Sequence, residues 1–186
     1  LADSLPTATI EQAERSLAFL PHPQRDYELR RRLQDWVDAG HGSCVLRHPA
    51  MAAMMQRTLL HFHGVRYELH AWVVMPNYVH ALVQPIGGWS LAKIVGSWKK
   101  HAASEVRRFQ RRADPEIGVP RGHSPLWHRE YWDRYIRNEE HYRAALEYIH
   151  QNPVKAGLAA QAEDWPWSSA TSPPAGGLAP AIDDQI

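Results

Sequence analysis

The chain reads as an α+β fold, an antiparallel sheet with helices packed on one face. Three observations predict it. Tyr67, Leu69, Ala71, Val73 and Met75 alternate with Glu68, His70, Trp72 and Val74, the period of a strand. Pro76-Asn77 breaks that run and a second strand-like stretch, Tyr78–Gln84, follows at once, as in an antiparallel hairpin. The segments on either side carry apolar stripes at helical spacing. Helices, hairpin, helix, strand, helix is an order that suits one layer of helices on one sheet.

Thr9 is a candidate N-cap for a short helix, Ile10–Phe19, halted by Pro21 and Pro23. A second helix, Gln24–Val37, has its stripe at Leu29, Leu33, Trp36 and Val37, with Arg30, Arg31 and Arg32 mostly off it, and Gly40 and Gly42 end it. His48-Pro49 opens a third, Pro49–Phe62, which Gly64 stops. After the hairpin, Ser90 caps a long helix, Leu91–Arg111, with the stripe Leu91, Val95, Trp98, Ala102, Val106 and Phe109. Its opposite side carries Lys93, Lys100, Arg107 and Arg111. Residues 113–125 hold three prolines and two glycines and read as a loop. Leu126–Ile136 reads as a further strand rich in Trp and Tyr. Asn138 caps a last helix, Glu139–Gln151, with two acids in its first turn, and Pro153 ends it.

The 186 residues suit one domain over 1–171, followed by a Pro/Gly/Ala-rich tail, 172–186, expected to be disordered. Apolar residues at 44% and charged residues at 22% are ordinary for a soluble domain. No apolar run approaches the roughly 18 residues of a membrane span. Leu1–Ser4 is neither basic nor apolar enough for a signal peptide. The lone Cys44 excludes an intramolecular disulfide and a Cys-rich zinc site, and a reducing cytoplasm is the expected setting. A net charge of only +1 confines any nucleic-acid surface to a local patch. The first residue is not Met, so the chain is expected to begin partway into a longer one.

Several constellations carry chemistry. Residues two apart on a strand share a face, so Tyr78, His80 and Leu82 point one way and Val79, Ala81 and Val83 the other. His80 fits either a metal ligand on the sheet surface or a structural hydrogen bond. Tyr148 and Asn152 lie four apart and share a helix face beside the stripe Tyr142, Ala145, Leu146 and Ile149. Asn152 can offer an amide oxygen to a hard cation, and Asn152-Pro153 is also an ordinary helix end. Lys99, Lys100, Arg107, Arg108, Arg111 and Arg112 can pair with phosphates, and equally form a solvated helix face. Trp127–Tyr135, with Arg129 and Arg134, supplies candidates for stacking on bases. His61-Phe62-His63 copies the spacing of a histidine pair, but at a helix end residues two apart diverge by roughly 200°, which points to surface or capping roles.

Together these segments resemble a known family. HAWVVMPNYVHALV is similar to the HUH segment of the REP-associated tyrosine transposases, where two histidines flank an apolar residue after Met-Pro-Asn. LWHREYWDRYIRNEEHYRAALEYIHQNPVKAGL resembles the second hallmark of that family, DWPWSSA its closing segment, and WVDAGHGSCVLRHPAMA one of its branches. The likeness spans roughly residues 2–170. It implies a ferredoxin-like core and a divalent ion, Mg2+ or Mn2+. It further implies a tyrosine that attacks a DNA phosphodiester, leaving a 5′-phosphotyrosine and a free 3′-hydroxyl. Carried over by position, Tyr148 is the nucleophile, His80 the second HUH histidine and Asn152 a third ligand. Implied substrates are hairpins with single-stranded flanks, contacted by Lys93, Lys99, Lys100, Arg107, Arg108, Arg129, Arg134 and Lys155. A phenol is a weak nucleophile at neutral pH, which is what a phosphate-polarising metal remedies. The covalent link conserves bond energy for rejoining. The implied location is cytoplasmic and nucleoid-associated, as a monomer or homodimer.

Two departures matter. The family's first HUH histidine is Tyr78 here, and a neutral phenol is a poor ligand for a hard ion. Weakened metal affinity and impaired cleavage, with DNA binding retained, are expected. The family's strand before the LADSLP-like segment is also absent from this chain, with an expected loss of a sheet strand and some stability. The rival functions are a non-catalytic hairpin-binding protein on the same fold and a metal hydrolase built on His101, His123, His128 and His141.

Overall fold

The alternation of residues 67–85 folds as the hairpin it predicts, and helices pack around it. The computed structural model describes residues 7–38, 40, 44–112, 126–127 and 133–171. In chain order the elements are α1 (Thr7–Ser16), α2 (His22–Asp38), a 3-10 turn (Val45–Arg47), α3 (Pro49–Leu60), β1 (Tyr67–Val74), β2 (Val79–Pro85), α4 (Leu91–Arg112), α5 (Glu139–Lys155) and a second 3-10 turn (Ala162–Asp164). The fold is α+β, a two-stranded antiparallel sheet with helices packed around it.

The register carries an irregularity the alternation did not signal. Leu69 pairs with Val83 and Ala71 with Leu82, so His70 is an extra residue in β1. Such a bulge reverses which face the following residues take. Tyr67 and Leu69 accordingly belong with Trp72, Val74 and Val79 to a core built with α3 and α4, where Met55, Leu59, Ile94 and Trp98 are buried. Ala71, Val73 and Met75 turn to the other side, with Tyr78, Leu33 of α2 and Ile149 of α5. Helices cover both faces of the hairpin, α3 and α4 on one side and α2 and α5 on the other.

Tyr67 ties the first core together. Its hydroxyl donates to the Leu59 carbonyl at 2.7 Å and accepts from Trp98 Nε1 at 2.9 Å, so α3, β1 and α4 meet at one buried oxygen. The free edge of β1 is also occupied. Val74 N–H donates to the Trp167 carbonyl at 2.8 Å, Ser169 N–H to the Trp72 carbonyl at 3.0 Å, and Val73 pairs with Ser168. The DWPWSSA segment thus lies along β1 as an edge cover.

Helix limits differ from the expected ones where local signals compete. α1 begins at Thr7, so Thr9 lies inside it rather than at its cap. Burial of Ala13 and Leu17 and the bond from Arg32 Nη1 to Ser16 Oγ at 2.9 Å set the helix against α2. α3 starts as expected, with His48 Nδ1 accepting from Ala50 N–H and Pro49 in the first turn. α5 starts at its Asn138 cap, where the side chain accepts from His141 N–H at 2.8 Å. It does not end at Pro153, which is buried inside it. A proline removes only its own N–H, and Ala156 N–H still reaches the Asn152 carbonyl at 3.0 Å. The stop is Gly157 at φ +67°, with Gly157 and Leu158 N–H closing onto the Val154 and Pro153 carbonyls. The strand expected over Leu126–Ile136 is not one at residues 133–137, which have no regular structure, and residues 128–132 lie outside the described residues. The expected tail, 172–186, also lies outside them.

Candidate active site

The second core opens at the hairpin turn, where the start of β2 and α5 bring four predicted residues together. Met75 N–H donates to the Tyr78 carbonyl at 2.8 Å, closing the turn around Pro76-Asn77, and Leu46 N–H braces it by donating to the Pro76 carbonyl at 3.1 Å. Tyr78 leaves this turn pointing at α5. It is 3% exposed, and its hydroxyl donates to Asn152 Oδ1 at 2.6 Å. Asn152, 5% exposed, uses its Nδ2 to donate to the Tyr148 carbonyl at 2.9 Å one turn earlier. The side chain is therefore fixed at both ends.

His80 sits between the two tyrosines. Its ring lies 4.9 Å from that of Tyr78 and 5.4 Å from that of Tyr148. The shared face predicted for Tyr78 and His80 is present. His80 Nε2 is sealed from solvent and has no hydrogen-bond partner among the described residues. Burial disfavours the imidazolium and lowers its pKa from 6.5 to about 3. Tyr148 is 39% exposed at the mouth of the site, and Lys155 Nζ stands 5.1 Å from its ring centroid. Tyr148 lies beside the buried residues Ile149 and Asn152, as its place off the stripe predicts.

The donor set does not fit a hard divalent ion. Such an ion needs several oxygen or imidazole donors with lone pairs to give. Asn152 Oδ1 already accepts the Tyr78 proton, and that phenol is engaged as a donor. His80 Nε2 is the remaining candidate of the three. No group of three or more His, Cys, Asp or Glu that could hold an ion occurs among the described residues. His101 instead contacts Thr58 Oγ1 through Nδ1 at 2.9 Å, between α4 and α3, and His123 and His128 lie outside the described residues. His61 caps α3, while His63 Nδ1 accepts from Leu69 N–H at 3.0 Å, so neither histidine of that pair faces a ligand site.

The basic residues divide. Lys155 reaches the site, with its Nζ over the Tyr148 ring. Lys93, Lys99, Lys100, Arg107 and Arg108 lie on α4, against the opposite face of the hairpin from α5. Arg108 is also paired with Glu105 at 2.9 Å. Arg134 is exposed, and Arg129 lies outside the described residues. The contact that sequence reasoning missed is the bond from Tyr78 to Asn152, between residues 74 positions apart that no spacing rule relates.

With this geometry in hand, the comparisons are specific. The family model described as Transposase IS200 like matches residues 51–152, more than half of the 186. The chain belongs to that family. It is 31% identical over 114 residues to the REP-associated tyrosine transposase of Escherichia coli K12, covering 61% of each chain. The match therefore spans less than two thirds of that curated relative. A solved REP-associated tyrosine transposase bound to a REP hairpin superposes with a TM-score of 0.50 and 27% identity over 62% of each chain. No helix among the described residues is long and apolar enough to cross a membrane.

Proposed function

We propose that the chain binds hairpin DNA with a single-stranded flank, and that it is a strand-cleaving transposase whose cleavage step is suppressed at Tyr78. The observation that carries this reading is the 2.6 Å bond from the Tyr78 hydroxyl to Asn152 Oδ1 beside an exposed Tyr148. In the reaction, Tyr148 Oη would form a bond to phosphorus and lose its proton. The 3′ oxygen would leave and gain one, giving a 5′-phosphotyrosine and a 3′-hydroxyl. Reversal by a 3′-hydroxyl rejoins the strand without an energy source. Lys155, above the Tyr148 ring, is placed to meet the charge of an approaching phosphate. With Asn152 Oδ1 committed to the Tyr78 hydroxyl, the residues present do not fit the Mg2+ or Mn2+ implied by the resemblance; in Tyr78→His, His80 and Asn152 would be free to hold such an ion, which would supply polarisation of the phosphate. Tyr78 holds Asn152 away from that task, so we propose weak metal affinity. Support also comes from the hairpin held by the solved relative.

The test is covalent capture. A labelled hairpin with a single-stranded flank is incubated with the full chain and manganese and resolved under denaturing conditions. Tight binding with a trace of adduct is expected from the parent, and no adduct from Tyr148→Phe. Tyr78→His should raise adduct formation on the order of 10–100-fold, the usual range for repairing support to a metal ligand. Tight hairpin binding with no adduct even in Tyr78→His would assign the chain a binding role alone. Absence of hairpin binding would overturn the reading altogether.

A further inference from the structure

At the end of the hairpin remote from Tyr148, one cation is held in place by two aromatic rings. Arg66 lies in the turn between α3 and β1. Its Cζ stands over the Phe62 ring, 3.3 Å from the centroid, and over the Trp89 ring at 4.3 Å. Its backbone is fixed on both sides: Arg66 N–H donates to the Phe62 carbonyl, and Ile86 N–H donates to the Arg66 carbonyl, each at 3.0 Å. Trp89 is brought there by a turn through Gly87 and Gly88, at φ +60° and +76°, conformations that glycine adopts at little cost. A Cβ at Gly87 would already touch Trp89 Cδ1 and the Val65 carbonyl at 3.7 Å.

The guanidinium has no hydrogen-bond or ion-pair partner among the described residues. The neighbouring carboxylate, Glu68, lies 3.4 Å from His63 instead. Two aromatic rings restrain the rotamers of a long side chain whose ordering is otherwise costly, and they add only about 0.5–1 kcal/mol of attraction at an exposed site. That is a modest structural return for an arginine whose N–H donors find no partner among the described residues. A planar fork held this way matches one kind of acceptor, a pair of oxygens or an oxygen and a nitrogen in one plane. Phosphate oxygens present such a pair, as do O6 and N7 of guanine. Lys93, exposed in the first turn of α4, adds charge four residues after Trp89.

We infer that Arg66, seated on Phe62 and Trp89, is a second DNA contact that grips the substrate away from the cleavage site. The inference rests on the hairpin-binding reading above. β1 pairs Tyr67 with Pro85 at the Arg66 end and Val74 with Val79 at the Tyr148 end. Strand rise puts the two ends ~23 Å apart, which is the rise of about seven base pairs. A short stem lying along the hairpin would therefore reach both. The Arg66 contact would fix the register of the stem and so help choose which phosphodiester meets Tyr148.

Anisotropy titrations of a labelled hairpin, with every variant made in a Tyr148→Phe background, test this. Arg66→Gln should weaken binding roughly 10-fold or more while leaving the thermal melt in place. Arg66→Lys should recover part of the affinity, since the charge returns without the fork. Trp89→Leu should weaken binding as well, by releasing the guanidinium. A phosphate contact lowers the salt slope by about one and acts on every stem sequence alike. A guanine contact appears as a loss that a 7-deazaguanine at one stem position reproduces. Parent-like affinity in both Arg66→Gln and Trp89→Leu, with the parent itself binding the hairpin, overturns the inference alone. A parent that binds no hairpin removes the inference together with the reading beneath it.

Discussion

At the scale of single residues, Tyr78 and Asn152 form a closed pair, and closed pairs are expensive to open. Tyr78→Phe keeps the ring but leaves the buried Asn152 Oδ1 without its donor. A loss of about 1–3 kcal/mol in urea denaturation is expected. A change below about 0.5 kcal/mol would mean that the bond does not hold β2 to α5. His80 gives a second residue-scale prediction, for the metal-free protein in chelator. The folded chain keeps His80 neutral down to about pH 3, whereas an unfolded histidine takes up a proton near pH 6.5. The unfolded state therefore binds more protons between those values. Stability is full above pH 6.5 and falls as the pH drops toward 3, by at most about 1.4 kcal/mol per unit. His80→Gln should flatten that fall between pH 6.5 and 4, and parallel curves for parent and variant would refute the burial argument.

At the scale of elements, the sequence was legible where one local signal governed. The Asn138 cap, Pro49 in the first turn of α3, the stripe of α4 and the break at Pro76-Asn77 all act within a few residues, and each marks its element correctly. Pro153 misled because helix-breaking is a statement about one hydrogen bond, and burial of Asn152 and Pro153 holds the following turn in place. The bulge at His70 was not legible, since an alternation cannot reveal that its phase shifts in the middle. The edge cover was visible as a motif, DWPWSSA, but not as a partner of β1. Ser169 Oγ accepts from Trp72 N–H at 2.9 Å and contacts His150 Nε2 at 2.8 Å, so it links the cover to both β1 and α5. Ser169→Ala should cost about 1–3 kcal/mol by stranding buried polar groups. It should also speed amide exchange at Trp72 and Val74 ahead of the rest of β1. Uniform acceleration across the strand would show that the segment does not act as a local cover.

At the scale of the whole molecule, the site was half legible. Tyr148, Asn152, His80 and Tyr78 were found from motif and spacing, and the fold brings all four to one place. The position of the basic residues relative to the site was not legible, because charge counted along α4 carries no information about which sheet face α4 covers. The bulge at His70 then has a consequence for how this chain can change over time. The hairpin is a partition wall, and the bulge lets Tyr67 and Leu69 before it share one side with Trp72 and Val74 after it. One side holds Trp98 and Tyr67 in an apolar core with α3 and α4. The other holds Tyr78, His80 and Asn152. A substitution on the second side can rearrange the cluster of Tyr78, His80 and Asn152 while the first side continues to define the fold.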